Sequence, residues 1–180
     1  MRALREESVG VLIDIQERLM PAMSGAEKTA GAAVKFITGL RLLQVPIIAA
    51  RQYPKGLGDL IPEVREALGE YTPFDKLTFS AYGNDAVVEH LRGLGRKNLF
   101  VFGVEAHVCV LQSVLDFIQA GYNVFLVEDC VASRSPHDTE TALRRAVREG
   151  AYPTTCEAAL FELLGGANAE QFKAISNLVK

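Results

Sequence analysis

Apolar residues along the chain fall into two alternating patterns: short unbroken runs, and longer stretches in which they recur every three or four positions. Segment 8–14, SVGVLID, is apolar from Val9 to Ile13 and closes on Asp14, which is how a strand buried on both faces reads. Ala30, Ala33, Val34, Ile37 and Leu40 then predict a helix over 26–44. VPIIAA (45–50) is the next short run, and the turn-rich RQYPKGLGDLIPE after it reads as a long surface loop. TPFDKLTFSAY (72–82) has room for a short strand of its own.

The second half repeats the rhythm more cleanly. Asn84 or Asp85 is placed to cap a helix carrying Val87, Val88, Leu91 and Leu94, closed near Gly95. NLFVFGV (98–104) reads as a strand, and Val110, Leu111, Val114, Leu115 and Ile118 as the apolar stripe of the helix that follows it. NVFLVED (123–129) is another strand. Ser135-Pro136-His137-Asp138 resembles an N-cap, a first-position proline and an acidic first turn, opening a helix that continues to Gly150. AYPTTC (151–156) is a final strand, at a sheet edge because Pro153 lacks a ladder donor. Two short helices, near 157–164 and 169–179, close the chain.

This alternation predicts an α/β fold with a mostly parallel sheet and right-handed crossovers. With no repeat, low-complexity tract or linker to divide it, the chain reads as one domain over 1–180. Ligands in such folds bind beyond the carboxyl ends of the strands, where strand order reverses, so chemistry is sought just after each strand.

Composition narrows the classes. Nineteen Lys and Arg against 22 Asp and Glu give a formal charge of −3, with no basic footprint for nucleic acid or for anionic lipid. The first residues lack the apolar run of a signal peptide, and no stretch is long enough to span a membrane. Three cysteines, Cys109, Cys130 and Cys156, are an odd number for a disulfide framework, and a cytoplasmic, reducing setting is expected.

Three residues pass the strand-end filter: Asp14 after the first strand, Lys76 in FDKLTFSAY, and Cys109 in GVEAHVCVLQSVLDF. A cysteine entering a helix meets the positive end of the helix dipole, which favours thiolate, and a neighbouring lysine acts in the same direction. An ionised aspartate accepts a proton from the thiol or from water, and turn amides hold an oxyanion. Each residue also has a plain structural reading: a small core thiol, an Asx-turn aspartate, a solvated lysine. Cys130 and Cys156 read as structural thiols. The three histidines lack zinc-ligand spacing, and His107 is two residues from Cys109, facing another direction on a helix.

The ordered set VLIDIQERL, RQYPKGLG, FDKLTFSAY, GVEAHVCVLQSVLDF, VEDCVASRSPHDTETAL and AYPTTCEAALFELL resembles the isochorismatase-like cysteine hydrolase superfamily, in particular its isochorismatase domain-containing and YcaC-related branch. The resemblance runs from about Ser8 to Lys180, and GVEAHVCV is its most specific piece. It implies a three-layer α/β/α fold on a six-stranded Rossmann-like parallel sheet, assembly into homo-oligomers, and a catalytic set of Asp14, Lys76 and Cys109. It further implies a cis peptide bond between Val104 and Glu105, with the Glu105 and Cys109 amides as oxyanion donors.

Two departures sharpen the expectation. Isochorismatases that hydrolyse a vinyl ether lack the nucleophilic cysteine, whereas this chain has Cys109. Nicotinamidases of the superfamily carry an Asp and His metal cluster after the second strand, whereas RQYPKGLGDL contains no histidine. Neither a metal nor another cofactor is therefore expected. Gln16, Leu19, Tyr53, Phe79, Tyr82 and His107 are the candidate pocket residues, their mixture suiting a small, partly apolar substrate. The expected activity is hydrolysis of a small amide or related acyl compound; the rival is a binding or scaffold protein that keeps the fold without significant catalysis.

Overall fold

A computed structural model describes residues 1–180. In chain order its main elements are β1 (Ser8–Ile13), α1 (Ala26–Leu42), β2 (Ile47–Gln52), α2 (Pro54–Leu57), α3 (Pro62–Leu68), β3 (Pro73–Lys76), α4 (Asp85–Leu94), β4 (Asn98–Val104), α5 (Leu111–Gln119), β5 (Asn123–Ala132), α6 (Pro136–Arg148), β6 (Tyr152–Thr154), α7 (Cys156–Leu164) and α8 (Phe172–Val179). The six strands form one wholly parallel sheet in the order β3-β2-β1-β4-β5-β6. The order reverses between β1 and β4, so the crevice expected of a doubly wound sheet opens where Asp14 and Glu105 leave those two strands.

The central strands alternate between two cores, one on each face of the sheet. Val9, Val11 and Ile13 of β1, with Leu99 and Val101 of β4, pack beneath α4 and α5 against Val87, Leu91, Val114 and Phe117. Leu12, Phe100 and Phe102 face the other way, onto Phe36, Ile37 and Leu40 of α1 and Leu160 of α7. Every residue of β1 and of β4 is buried, which is why both read as unbroken apolar runs. Gly10 admits Leu40, whose Cδ1 lies 2.6 Å from where a Cβ would stand.

Most of the sequence reading holds. Asn84 caps α4, its Oδ1 accepting from the Ala86 amide at 2.9 Å and the Val87 amide at 3.3 Å, and Gly95 ends that helix in the left-handed region. β6 is an edge strand, as Pro153 implied. Three local readings are corrected. The long loop expected over 51–63 holds α2 and starts α3, because Pro54 and Pro62 each open a helix, and Val64 and Leu68 bury one face of α3. The stripe predicted after β4 faces the core but is wider than expected, with Leu115 and Ile118 packed partly buried against that core and Phe117 fully buried within it. Ser135 precedes α6 without a side-chain cap bond, and that helix ends at Arg148 rather than at Gly150.

Candidate active site

Four non-glycine residues adopt positive φ, and three of them stand at the carboxyl ends of the strands around the crevice: Asp14 (φ 57°) after β1, Tyr53 (φ 35°) after β2 and Glu105 (φ 56°) after β4. Left-handed backbone at side-chain-bearing residues costs energy and is retained where the surroundings enforce it. No peptide bond in the chain is cis, so the cis bond implied between Val104 and Glu105 is absent; the chain reverses there through the left-handed Glu105 instead. The Ala106–Val110 turn that follows is wider than an α-helix, with the Val110 amide reaching the Glu105 carbonyl at 3.4 Å. This turn delivers Cys109 into the crevice.

Asp14 and Lys76 meet there. The Lys76 Nζ donates to Asp14 Oδ2 at 2.7 Å, to Gln52 Oε1 at 2.7 Å and to the Phe79 carbonyl at 3.0 Å, which occupies all three ammonium protons. Both side chains of the ion pair are wholly buried. Asp14 Oδ1, the other carboxylate oxygen, is buried and has no hydrogen-bond partner. Burial pushes the Asp14 carboxyl above its ordinary range, against the opposing charge and hydrogen bond of Lys76. The Cys109 thiol adjoins this carboxylate and is pushed up to about 12, first by burial and then by the Asp14 charge, with Lys76 opposing. The thiolate expected from the helix dipole and lysine is therefore overruled, and Cys109 rests as a thiol beside a basic carboxylate.

Next to Cys109 is a cavity of about 240 Å³ lined by Leu19, Leu57, Phe79 and Val108, with Gln52, Glu105 and Arg134 as its polar groups. Clefts of about 430 and 450 Å³ occur elsewhere on the molecule, so proton-transfer groups rather than size mark this site. Glu105 is tied by Arg134, whose Nε lies 3.1 Å from its Oε1. The Cys109 turn is fastened to the segment after β3 through Ser113, whose Oγ donates to the Cys109 carbonyl at 2.6 Å and accepts from the Ala81 amide at 2.8 Å.

Of the pocket candidates, Leu19 and Phe79 line this cavity. Gln16 does not: it is fully buried, and its side chain binds the backbone of Gln52 and Gly58. Tyr53 is half exposed in another cleft, which Lys76 also lines. Tyr82 packs edge-on against Phe117, with ring centroids 5.7 Å apart. His107 turns to Ser133, its Nδ1 2.9 Å from the hydroxyl oxygen, and is a structural partner rather than a wall of the cavity. Sequence reasoning missed Gln52 and Arg134. Both follow from the same strand-end rule, but β2 was expected to stop at 50 and β5 at 129, whereas they run to Gln52 and Ala132. No three His, Cys, Asp or Glu side chains gather into a metal-binding group.

A parallel α/β sheet with a buried carboxylate, an ammonium and a thiol at its switch point defines a hydrolase-like fold. The isochorismatase domain model matches residues 8–158, and the chain belongs to that family. It is 34% identical to mouse isochorismatase domain-containing protein 2A over 180 residues, covering 99% of this chain and 85% of the mouse protein. It is 36% identical to isochorismatase domain-containing protein 1 of Salmo salar, covering 93% of this chain. The chain spans 59% and 61% of the lengths of the Salmo salar and Danio rerio relatives. Among structures, that of the MAR1 ribonuclease of Caenorhabditis elegans superposes with a TM-score of 0.94 at 35% identity, covering 99% of this chain and 92% of that one. The YcaC protein of Escherichia coli, described as an octameric hydrolase of unknown specificity, superposes at 0.93 with 21% identity, covering 99% and 89%.

Proposed function

We propose that the chain is a metal-independent cysteine hydrolase of small amides or related acyl compounds, with Cys109 as nucleophile, Asp14 as acid and base, and Lys76 as the cation that holds Asp14. The observation that carries this reading is the buried Asp14 carboxylate: Lys76 fixes its Oδ2, its Oδ1 is left without any other fixed partner, and the Cys109 thiol adjoins the group. A raised carboxyl is a better base than an ordinary one, and a raised thiol gives up its proton as it attacks rather than before.

The steps follow from these roles. Asp14 takes the thiol proton while Cys109 Sγ bonds to the substrate's acyl carbon, and the oxygen charge that develops is held by the Glu105 and Cys109 amides. The intermediate collapses with cleavage of the carbon–nitrogen bond, and the amine leaves with the proton from Asp14. Water then loses a proton to Asp14 as it attacks the thioester, and the released thiolate recovers that proton. Leu19, Leu57, Phe79 and Val108 favour an apolar acyl part small enough for about 240 Å³.

The name of the Caenorhabditis elegans MAR1 ribonuclease offers ribonucleolysis as a second reading. The lining disfavours it: Arg134 is the single cation, already paired with Glu105. Incubation with a panel of small amides, with an RNA control, tests both. Amide turnover that vanishes in Cys109→Ala, with a trapped acyl adduct on Cys109, supports the proposal; turnover retained by Cys109→Ala overturns the covalent route. Assembly into homo-oligomers, as in the octameric Escherichia coli YcaC protein, is proposed alongside and is read by sedimentation.

A further inference from the structure

Lys76 is held by a residue that the nucleophilic chemistry itself does not require. The Gln52 Oε1 accepts from the ammonium at 2.7 Å, as short as the contact with Asp14, while the Gln52 Nε2 donates to the Leu77 carbonyl at 3.0 Å. An ammonium has no acceptor, so the amide has only one orientation here, with its oxygen on Lys76. The backbone of Gln52 is clamped in turn by Gln16: the Gln52 amide donates to Gln16 Oε1 at 2.7 Å, and Gln16 Nε2 donates to the Gln52 carbonyl at 2.9 Å and to the Gly58 carbonyl at 2.8 Å. Gln16 is wholly buried and two residues beyond Asp14. The two ends of the ion pair are thus joined a second time, through Gln16 and Gln52.

We infer that Gln52 is a positioning residue: by accepting the second ammonium proton it holds Lys76 directed at Asp14, and so lowers the barrier to ionising Cys109. A buried ammonium deprived of one acceptor is left with an unsatisfied donor and turns toward another. With the ammonium displaced, the Asp14 carboxylate and the low-dielectric surroundings oppose thiolate formation less checked, since Lys76 is the group that counters them at Cys109. Gln52 acts only through Lys76. This inference rests on the hydrolase reading for its purpose, but not for its test.

The test is the rate of Cys109 alkylation by iodoacetamide, followed by mass spectrometry on the full chain, which needs no substrate. At pH 8, Gln52→Met is expected to slow alkylation about tenfold, the equivalent of one pKa unit at the thiol. In a Lys76→Met background the same change is expected to have no further effect, because the residue it acts through is gone. Equal slowing in both backgrounds overturns the inference, as does an unchanged rate in Gln52→Met. Where Lys76→Met fails to fold, Gln52→Glu decides, since it keeps an acceptor for the ammonium but no donor for the Leu77 carbonyl. Alkylation stays faster than in Gln52→Met if Gln52 works through Lys76, and falls to the Gln52→Met rate if its role is only to brace the segment after β3. Amide turnover and its loss in Cys109→Ala are measured separately, so failure of the hydrolase reading leaves this outcome readable.

Discussion

Lys76 Nζ lies 2.7 Å from Asp14 Oδ2, and neither side chain reaches solvent. Desolvating two charges costs several kcal/mol each, so such a pair is tolerated rather than strongly stabilising, and breaking it strands a charge. Lys76→Met is expected to destabilise the fold by about 3–5 kcal/mol. Asp14→Leu combined with Lys76→Met is expected to return to within about 2 kcal/mol of the natural chain, since apolar replacement of both partners removes the desolvation cost. Urea unfolding of the three chains checks this; a double variant no better than Lys76→Met shows that the pair stabilises on its own account.

The role assigned to Asp14 predicts a sign that electrostatics alone would reverse. The Asp14 charge raises the Cys109 thiol, so Asp14→Asn by itself should ease ionisation and quicken alkylation. If Asp14 instead carries the proton away, the same variant slows both alkylation and amide turnover near neutral pH, by about 100-fold or more. The slower outcome is expected. Faster alkylation in Asp14→Asn removes Asp14 from the role of base.

How much of this was readable in advance depends on what each element relies on. β1 and β4 were legible because their burial on both faces leaves an uninterrupted apolar run, and α4 because Asn84 and Gly95 mark its ends. Asp14, Lys76 and Cys109, singled out as residues beside strand ends, lie together in the structure, although 62 residues separate the first two. The tail of β2 was not legible, because Arg51 and Gln52 are polar and continue the ladder against β3. Nor was that of β5, which runs on through Cys130, Val131 and Ala132 past the polar Glu128-Asp129 pair at which it was expected to stop, after an irregularity in its register with β4. Arg51 Nε reaches Asp75 Oδ1 at 2.7 Å, and Asp129 Oδ1 accepts from the Cys156 amide at 2.8 Å. The protonation of Cys109 was illegible for a related reason: the positive helix end and the lysine were visible locally, while burial of the thiol comes from the whole sheet.

That burial has a consequence for stability at high pH. The folded chain holds the Cys109 proton up to about 12, whereas an unconstrained thiol releases it near 9.0. Between those values the unfolded chain binds fewer protons than the folded one, so the contribution of Cys109 is full below pH 9 and lost as pH rises toward 12, by up to about 1.4 kcal/mol per unit. Cys109→Ser lacks this titration. The difference in unfolding free energy between the natural chain and Cys109→Ser is therefore expected to shrink from pH 9 to 11, measured by denaturant titration; a constant difference contradicts the raised thiol.

Two glycines give opposite expectations for the same substitution. Gly103 lies in β4 opposite Ile13, with φ at 142°, and a Cβ there would collide with the Ile13 carbonyl oxygen. Backbone on both sides prevents relief, since β1 and β4 are fixed by their ladder and by both cores. Gly103→Ala is expected to cost more than about 3 kcal/mol and to disturb the crevice, because Asp14 and Val104 are the next residues on the two strands. Gly31, exposed in the interior of α1, has nothing within 4 Å of the added carbon. Gly31→Ala is expected to stabilise by about 0.4–1 kcal/mol, by narrowing the unfolded ensemble and favouring the helix. Thermal melts of the two variants test the pair: a tolerated Gly103→Ala means that the ends of β1 and β4 can part, and that the close approach beside Asp14 is not a fixed feature of the site.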